Sequence, residues 1–117
     1  MGGAVSNDCL FCRIVRREIP AKIVAESADC LAFRDIGPKA PVHILVIPKV
    51  HLESLAEVSD FALVGRMAQM AVDVARLEGI AETGHRLVVN TGADGGQSVF
   101  HLHFHLLGGR RLSWPPG

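Results

Sequence analysis

The sequence of 117 residues lacks several features that mark particular protein classes. No apolar run approaches the ~20 residues that a membrane-spanning helix needs, and no basic segment followed by an apolar one opens the chain. Twelve basic residues balance twelve acidic ones, so no net charge would hold the protein on a nucleic-acid polymer or an anionic membrane. We therefore expect a cytoplasmic protein whose negatively charged partners are small molecules.

Cysteine is also scarce. The three cysteines are too few, and odd in number, to form a disulfide framework. Cys30 is expected to be a small buried hydrophobic residue. Cys9 and Cys12 form a C-x-x-C pair, which indicates metal ligands, two reduced buried thiols or a redox pair. A redox pair of the thioredoxin type should follow a strand, whereas this pair lies in the first predicted helix, which disfavours the redox interpretation.

The hydrophobic content of 49% is enough for one compact domain over residues 1–117, with a flexible N-terminus at 1–7. The apolar periodicities predict an α+β fold around one mostly antiparallel, five-stranded sheet with two helices. Ser59 is expected to cap the second helix, whose apolar stripe begins at Phe61, and Gly79 is expected to end it. The elements are predicted, in chain order, as a helix within 9–18, strands at 22–26, 30–35 and 42–48, a helix from 59 to 78, and strands at 85–90 and 99–107.

Half of the histidines occupy alternate positions in the stretch "HLHFHLLGGR", at His101, His103 and His105. In an extended strand these three rings share one face, while the apolar residues between them share the other. Such a row of imidazoles fits three interpretations, which are a solvated face, a metal site and nucleophilic attack at phosphorus.

A glycine-rich loop, "NTGADGGQS", leads into this strand and favours the phosphorus chemistry. Gly92, Gly95 and Gly96 permit backbone N–H groups to approach an anion closely, and Ser98 adds a hydroxyl donor. By itself such a loop is usually a hairpin connection, but beside three imidazoles it indicates a phosphate pocket. One neutral imidazole can attack phosphorus, and a second, protonated one can neutralise the phosphate oxygens in the transition state.

The strand from His101 to Leu107 resembles the His-x-His-x-His-x-x signature of the histidine triad (HIT) family of nucleotide hydrolases and transferases. The stretches "REIPAKIVAE", "CLAFRDIGPKAPVHILVIPKVH", "RLVVNTGADGGQSVFHLHFHLLGGR" and "WPPG" are similar to the Hint branch over nearly the entire chain. This resemblance implies a HIT-like fold and a homodimer whose two sheets join into one ten-stranded sheet. It also implies a nucleoside phosphoramidase that acts on substrates such as adenosine 5'-phosphoramidate, with an AMP or GMP moiety and no organic cofactor.

The same resemblance implies a role for each matching position. His103 matches the nucleophile that forms a covalent nucleotidyl-histidine intermediate, and His105 matches the residue that contacts the α-phosphate oxygens. Ser98 matches a loop residue that meets the phosphate and the leaving group, and Asp35 matches the carboxylate that binds the ribose hydroxyls. The further phosphate-side contacts are Asn90, Gly96 and Gln97, and the apolar slot for the purine base is formed by Leu10, Phe11, Ile14, Phe33 and Ile36.

A structural zinc site takes four ligands, so Cys9 and Cys12 need two more. The resemblance implies that His51, which follows "IPKV", and His101 complete a tetrahedral site, as in many bacterial HIT proteins. Relatives without the cysteines keep both histidines, which then orient the nucleophile through hydrogen bonds. A closed site of four ligands would be structural, because it leaves no open position for water.

The C-terminal tail at residues 108–117 contains Trp114, the only tryptophan. The resemblance implies that this tail contributes to the active site of the neighbouring subunit, while an anchor on its own domain is the other interpretation. His43 and His85 match no catalytic position and are expected to be ordinary strand residues. The alternatives to the phosphoramidase are a dinucleoside polyphosphate hydrolase of the same family and a non-enzymatic, zinc-stabilised module that binds nucleotides or proteins.

Overall fold

The computed structural model describes residues 9–117, so the predicted flexible segment 1–7 lies outside the described residues. The chain forms helices and strands in the predicted order, with one short 3-10 helix in addition. The elements are α1 (Leu10–Val15), β1 (Ile23–Glu26), β2 (Cys30–Arg34), β3 (Val42–Pro48), the 3-10 helix (Leu55–Glu57), α2 (Ala62–Leu77), β4 (His85–Val89) and β5 (Phe104–Gly108).

The five strands form one sheet in the order β1-β2-β3-β5-β4, and every neighbouring pair is antiparallel. The α+β class and the antiparallel five-stranded sheet predicted from the sequence are therefore confirmed. β1 and β2 form the expected hairpin, whose turn is held by a hydrogen bond from the Cys30 N–H to the Ser27 hydroxyl at 3.1 Å. β5, which follows the glycine-rich loop, lies between β3 and β4.

Each face of the sheet packs against one helix, because side chains alternate along every strand. α2 covers one face with Met67 and Val74, which are fully buried against Ile44 and Leu106. Cys30 lies in this core as a buried small residue, as expected. On the other face, Phe11 and Ile14 of α1 pack on a separate cluster of strand residues, namely Leu31, Phe33, Leu45 and Ile47.

The helix termini differ from the prediction in two places. Ser59 is not the cap of α2, because Asp60 Oδ1 accepts the first helical N–H, that of Ala62, at 3.1 Å. Phe61 precedes the first turn and is 58% exposed, so it does not belong to the apolar stripe. The expected end of the helix is confirmed, since α2 ends at Leu77 and Gly79 adopts a φ of 75° directly after the C-cap residue Glu78.

The histidine strand is also shorter than predicted, because β5 begins at Phe104 instead of residue 99. Its partner β3 ends at Pro48, and the N–H of Leu102 turns away to donate to the Leu52 carbonyl at 2.7 Å. His101 and His103 therefore lie in the segment that leads into the strand, and only His105 is part of the strand itself.

Within residues 9–117, no helix is long and apolar enough to cross a membrane.

Candidate active site and metal centre

The three histidines lie on the α1 side of the sheet, as the alternation predicts. The intervening Leu102 and Phe104 are buried in the core beneath α2. Phe11 of α1 packs edge-on against His103, with ring centroids 5.2 Å apart and planes at 90°. The ring of His103 in turn contacts that of His105, at a centroid distance of 4.9 Å. The histidines are thus held by packing as well as by hydrogen bonds.

A backbone hydrogen bond sets the protonation of the His103 ring. Its Nδ1 lies 2.7 Å from the carbonyl oxygen of His101, and since a carbonyl only accepts, Nδ1 carries the proton. The lone pair is therefore on Nε2. Burial lowers the pKa of His103, which keeps the ring neutral at physiological pH. The result is an imidazole whose free nitrogen is ready to act as a nucleophile.

His105 is oriented by a second histidine that the sequence did not single out. The N–H of Lys39 donates to His43 Nδ1 at 3.0 Å, so the proton of His43 is on Nε2. That Nε2–H points at His105 Nδ1, 2.9 Å away, which leaves the His105 proton on its own Nε2. The only sequence signal for His43 is its position in β3, where it pairs with Leu107, two residues after His105.

The electrostatics of His105 differ from the expectation of a protonated ring. Burial, followed by the charges of His103 and His43, lowers its pKa to about 4. Asp35 opposes this shift without cancelling it. The protein alone therefore supplies a neutral N–H donor at His105, which suits a phosphate oxygen without requiring a buried cation.

Asp35, His43 and His105 also bring three possible ligand atoms together, with Asp35 Oδ2 at 3.5 Å from His43 Nε2. The protonation pattern does not suit a metal. A neutral His43 that bound an ion through Nε2 would carry its proton on Nδ1, directly opposite the N–H of Lys39. We interpret this group as a hydrogen-bond relay.

The four predicted metal ligands do converge. Cys9 Sγ and His51 Nδ1 each lie 3.3 Å from His101 Nδ1, and Cys12 Sγ lies 3.5 Å from it. Cys12 Sγ is also 3.3 Å from His51 Nδ1. A tetrahedral zinc ion with ordinary Zn–N and Zn–S bonds separates such atoms by about 3.3 to 3.6 Å, so the spacing fits.

The protonation of His101 fits a metal as well. Its Nε2 donates to the Pro48 carbonyl at 2.8 Å, which leaves the Nδ1 lone pair directed at the two cysteines. Burial lowers the pKa of this ring to about 4, so it is neutral, as a metal ligand must be. The structure thus contains a Cys2His2 cluster whose donor set and geometry suit a metal ion.

A cavity of about 300 Å³ lies between α1 and the sheet. His103 and His105 are not among its lining residues, but Leu45, which lines it, pairs with His105 in the sheet. The cavity brings together all five apolar residues expected around the base, and its lining also includes Asp35 and Ser98. Ile36 is fully exposed at the mouth of this cavity, whereas Phe11 and Phe33 are buried in its wall. A planar apolar group with polar atoms near Asp35 and Ser98 matches this lining.

The glycine-rich loop contributes mainly through its backbone. Gln97 is buried, and its side chain accepts from the N–H of Gly92 at 2.9 Å and donates to the Glu53 carbonyl at 2.6 Å. It therefore shapes the loop from within. At Gly95 a Cβ atom would lie 2.4 Å from the Thr91 carbonyl oxygen, which excludes any larger residue. Asn90, Gly96 and Gln97 do not line the cavity, unlike Ser98.

Comparisons with known proteins agree with this site. The HIT domain family matches residues 16–112. An uncharacterized HIT-like protein of Synechococcus elongatus is 55% identical over 97% of this chain and 100% of its own length. Among solved structures, a HIT family hydrolase from Legionella pneumophila has a TM-score of 0.91 at 49% identity, covering 94% of this chain and 100% of its own. A histidine triad nucleotide-binding protein from Candida albicans has a TM-score of 0.82 at 29% identity, covering 92% of this chain and 83% of its own.

Proposed function

The chain belongs to the HIT family, and on that premise we propose that it is a nucleoside 5'-phosphoramidate hydrolase of the Hint type. Solved relatives from Legionella pneumophila and Clostridium thermocellum are described as HIT family hydrolases, which supports hydrolysis as the reaction class. The observation that carries the proposal is the state of His103. Its Nδ1–H is fixed on the His101 carbonyl, so that Nε2 offers a lone pair. Binding a nucleotide does not require such a nucleophile.

In the first step, His103 Nε2 forms a bond to phosphorus as the bond from phosphorus to the leaving nitrogen breaks. The nitrogen keeps that electron pair, takes a proton from water and leaves as an amine. The Ser98 hydroxyl faces this leaving nitrogen. The His105 Nε2–H donates to a phosphate oxygen as negative charge grows there. In the second step, water attacks phosphorus, the bond to His103 breaks, and its electron pair returns to Nε2. Nucleoside monophosphate and a proton are released.

The nucleoside is held in the cavity beside α1. Asp35 accepts hydrogen bonds from the ribose hydroxyls, and Leu10, Phe11 and Ile14 pack on the purine. One oxygen of Asp35 already accepts the Gly37 N–H at 2.8 Å, which fixes the carboxylate and leaves its remaining acceptor positions for the ribose. Asn90, Gly96 and Gln97 shape the loop that meets the phosphate.

We further propose that the Cys2His2 cluster holds a structural zinc ion. Cys9, Cys12, His51 and His101 would hold it, and zinc bound there would stabilise the fold without taking part in the reaction, because protein residues would fill all four positions. His101 joins the cluster to the active site, since its ring faces the cysteines while its carbonyl accepts from His103. The cluster would thus hold α1 against the segment that carries the nucleophile.

Intact-mass spectrometry during turnover of adenosine 5'-phosphoramidate tests the nucleophile. The unmodified protein should accumulate a nucleotidyl adduct, His103→Ala should show neither adduct nor turnover, and His85→Ala should behave as the parent, because His85 is exposed outside the cavity. Adduct on His103→Ala would show that another residue attacks. A folded parent that binds AMP without turnover would favour a nucleotide-binding module, and faster cleavage of diadenosine polyphosphates than of phosphoramidates would favour the related hydrolase.

The ribose contact is tested separately by binding. AMP should bind more tightly than 2',3'-dideoxy-AMP by about tenfold or more, the usual value of a hydrogen bond to a charged group. Asp35→Asn should lose this discrimination, and Asp94→Asn, an exposed change in the loop, should keep it. Equal discrimination in Asp35→Asn would remove Asp35 from the site.

A further inference from the structure

The three cysteines differ in how far solvent can reach them. Cys9 is half-buried at the N-terminal cap of α1, whereas Cys12, at the third position of that helix, is fully buried. The sulfur atoms of Cys9 and Cys12 lie within 4.8 Å of each other. Cys30 is fully buried on the opposite face of the sheet, in the core beneath α2. A small solute can therefore reach one thiol of the pair, and the second thiol lies beside it, away from solvent.

The backbone and His101 keep the two sulfur atoms on one side of α1. The Cys12 N–H donates to Cys9 Sγ at 3.3 Å, and the Arg13 N–H donates to the Cys9 carbonyl at 3.1 Å. Cys9 Sγ and Cys12 Sγ lie 3.3 and 3.5 Å from His101 Nδ1. C-x-x-C is also the spacing at which the cysteines of disulfide oxidoreductases join. The same two sulfur atoms are thus placed to share a metal ion or to bond to each other.

These two states exclude one another. Two corners of a tetrahedral zinc site lie more than about 3 Å apart, whereas an S–S bond is about 2 Å long. A cysteine also ligates zinc as the thiolate, and a disulfide contains none. Formation of a Cys9–Cys12 disulfide would therefore remove two of the four ligands. His51 and His101 would remain, which are too few for a structural zinc site.

We propose that Cys9 is an oxidation site, at which hydrogen peroxide converts the metal-holding pair into a disulfide. The Cys9 thiolate forms a bond to one peroxide oxygen, the O–O bond breaks, and hydroxide leaves with that electron pair, so that Cys9 becomes a sulfenic acid. The Cys12 thiolate then attacks the Cys9 sulfur, the S–O bond breaks, and a second hydroxide leaves. The two sulfur atoms together lose two electrons, which reduce the peroxide.

The oxidised chain keeps its fold but loses the link at the cluster. Phe11 and Ile14 still pack α1 on the sheet, because their contacts are with apolar strand residues. A thiol reductant reverses the change by thiol–disulfide exchange, after which the cluster can bind metal again. This inference rests on the zinc site of the proposed function and goes beyond the hydrolase reaction, since it makes occupancy of that site depend on peroxide.

The first test treats the zinc-loaded protein with a small molar excess of hydrogen peroxide. A colorimetric chelator measures the zinc released, and mass spectrometry of alkylated peptides locates the disulfide. We expect zinc and a Cys9–Cys12 disulfide to appear at the same rate, Cys30 to remain a free thiol, and reductant with added zinc to restore the starting state. Cys30→Ser is the matched control and should release zinc at the parental rate.

The outcomes separate this inference from the zinc site itself. A reduced protein that binds no zinc would overturn the zinc site and this inference together. Zinc that stays bound under peroxide, or thiols that oxidise without forming the Cys9–Cys12 disulfide, would overturn this inference and leave the zinc site intact. Hydrolase activity does not enter either measurement, so the reaction proposed for His103 is tested independently.

The second test asks which cysteine reacts first. Cys12→Ser lacks the resolving thiol, so peroxide should leave a sulfenic acid on Cys9, which dimedone traps as a stable adduct. Cys9→Ser should give little adduct over the same time, because the remaining Cys12 is fully buried. Equal labelling of Cys9 and Cys12 in the two variants, or faster labelling of Cys12, would overturn the assignment of Cys9 as the oxidation site.

Discussion

The relay from Lys39 through His43 to His105 can be tested by one substitution and a matched control. His43→Leu replaces the ring by an apolar side chain of similar size and so removes both hydrogen bonds of the ring. His105 Nδ1 then lacks its donor, and nothing fixes which nitrogen of His105 carries the proton. His43→Gln is the control, because its amide can accept from the Lys39 N–H and donate to His105.

The expected size of the effect follows from burial. The His43 side chain is only 4% exposed, so water cannot easily replace the lost partner of His105. Leaving a buried acceptor unsatisfied costs about 1–3 kcal/mol of stability, and loss of an orienting partner lowers activity by about 10- to 100-fold. The loss should fall on kcat more than on KM, because the cavity proposed to hold the nucleoside is formed by other residues.

Steady-state kinetics on adenosine 5'-phosphoramidate and urea denaturation of the three proteins provide the measurements. We expect His43→Gln to recover most of the kcat that His43→Leu loses. If His43→Leu loses stability but keeps kcat within about twofold, then His43 is a packing residue and the proton on His105 Nε2 is set by something else.

Three further outcomes are expected. Chelation of the metal-loaded protein should lower its free energy of unfolding by about 3 kcal/mol, if the free metal concentration was a hundredfold above Kd before chelation. Cys12→Ser should bind no metal and should not respond to the chelator, whereas Cys30→Ser should bind metal and respond as the parent does. An unchanged melting temperature of the parent after chelation would refute the zinc site. Burial and neighbouring histidines hold the pKa of His105 near 4, below the 6.5 of an exposed ring, so the unfolded chain binds a proton that the folded chain does not. The free energy of unfolding should therefore fall as the pH drops from 6.5 to 4, by up to about 3 kcal/mol. Urea denaturation at a series of pH values measures this dependence, and His105→Asn should make it shallower. The same dependence on pH in His105→Asn as in the parent would contradict this cause. Met67→Ala should lower the free energy of unfolding by about 2–5 kcal/mol, and Leu77→Ala, at an exposed position, should lower it by less than about 0.5 kcal/mol. Urea denaturation measures both values, and equal losses would contradict the packing of α2.

The Cys2His2 cluster and the proposed nucleophile His103 meet at a single residue, His101. The ring of His101 points at the cysteines, and its carbonyl accepts from His103. Any movement of α1 that displaces Cys9 or Cys12 therefore reaches the hydrogen bond that sets the protonation of His103. The proposed metal site and the proposed catalytic site are therefore joined through a single residue, His101.

The sequence alone determined the order of the elements, the antiparallel sheet and the alternation that puts the histidines on one face. These features are local or periodic, so they follow from neighbouring residues. The gathering of Cys9, Cys12, His51 and His101 was expected from motif resemblance and is present in the structure. Spacing by itself did not bring these residues together, since 39 positions separate Cys12 from His51.

Only the tertiary structure decided the protonation of the rings and the role of His43. His43 and His105 are 62 positions apart and meet because β3 and β5 are neighbours in the sheet. The start of β5 at Phe104 likewise depends on the Leu52 carbonyl, which lies in another part of the chain. The proton is fixed on four of the rings by carbonyl and N–H groups that the fold places beside them, namely on His43, His101, His103 and His105. A sequence states which residues are histidines, but contacts between distant segments decide which nitrogen of each ring is free to react.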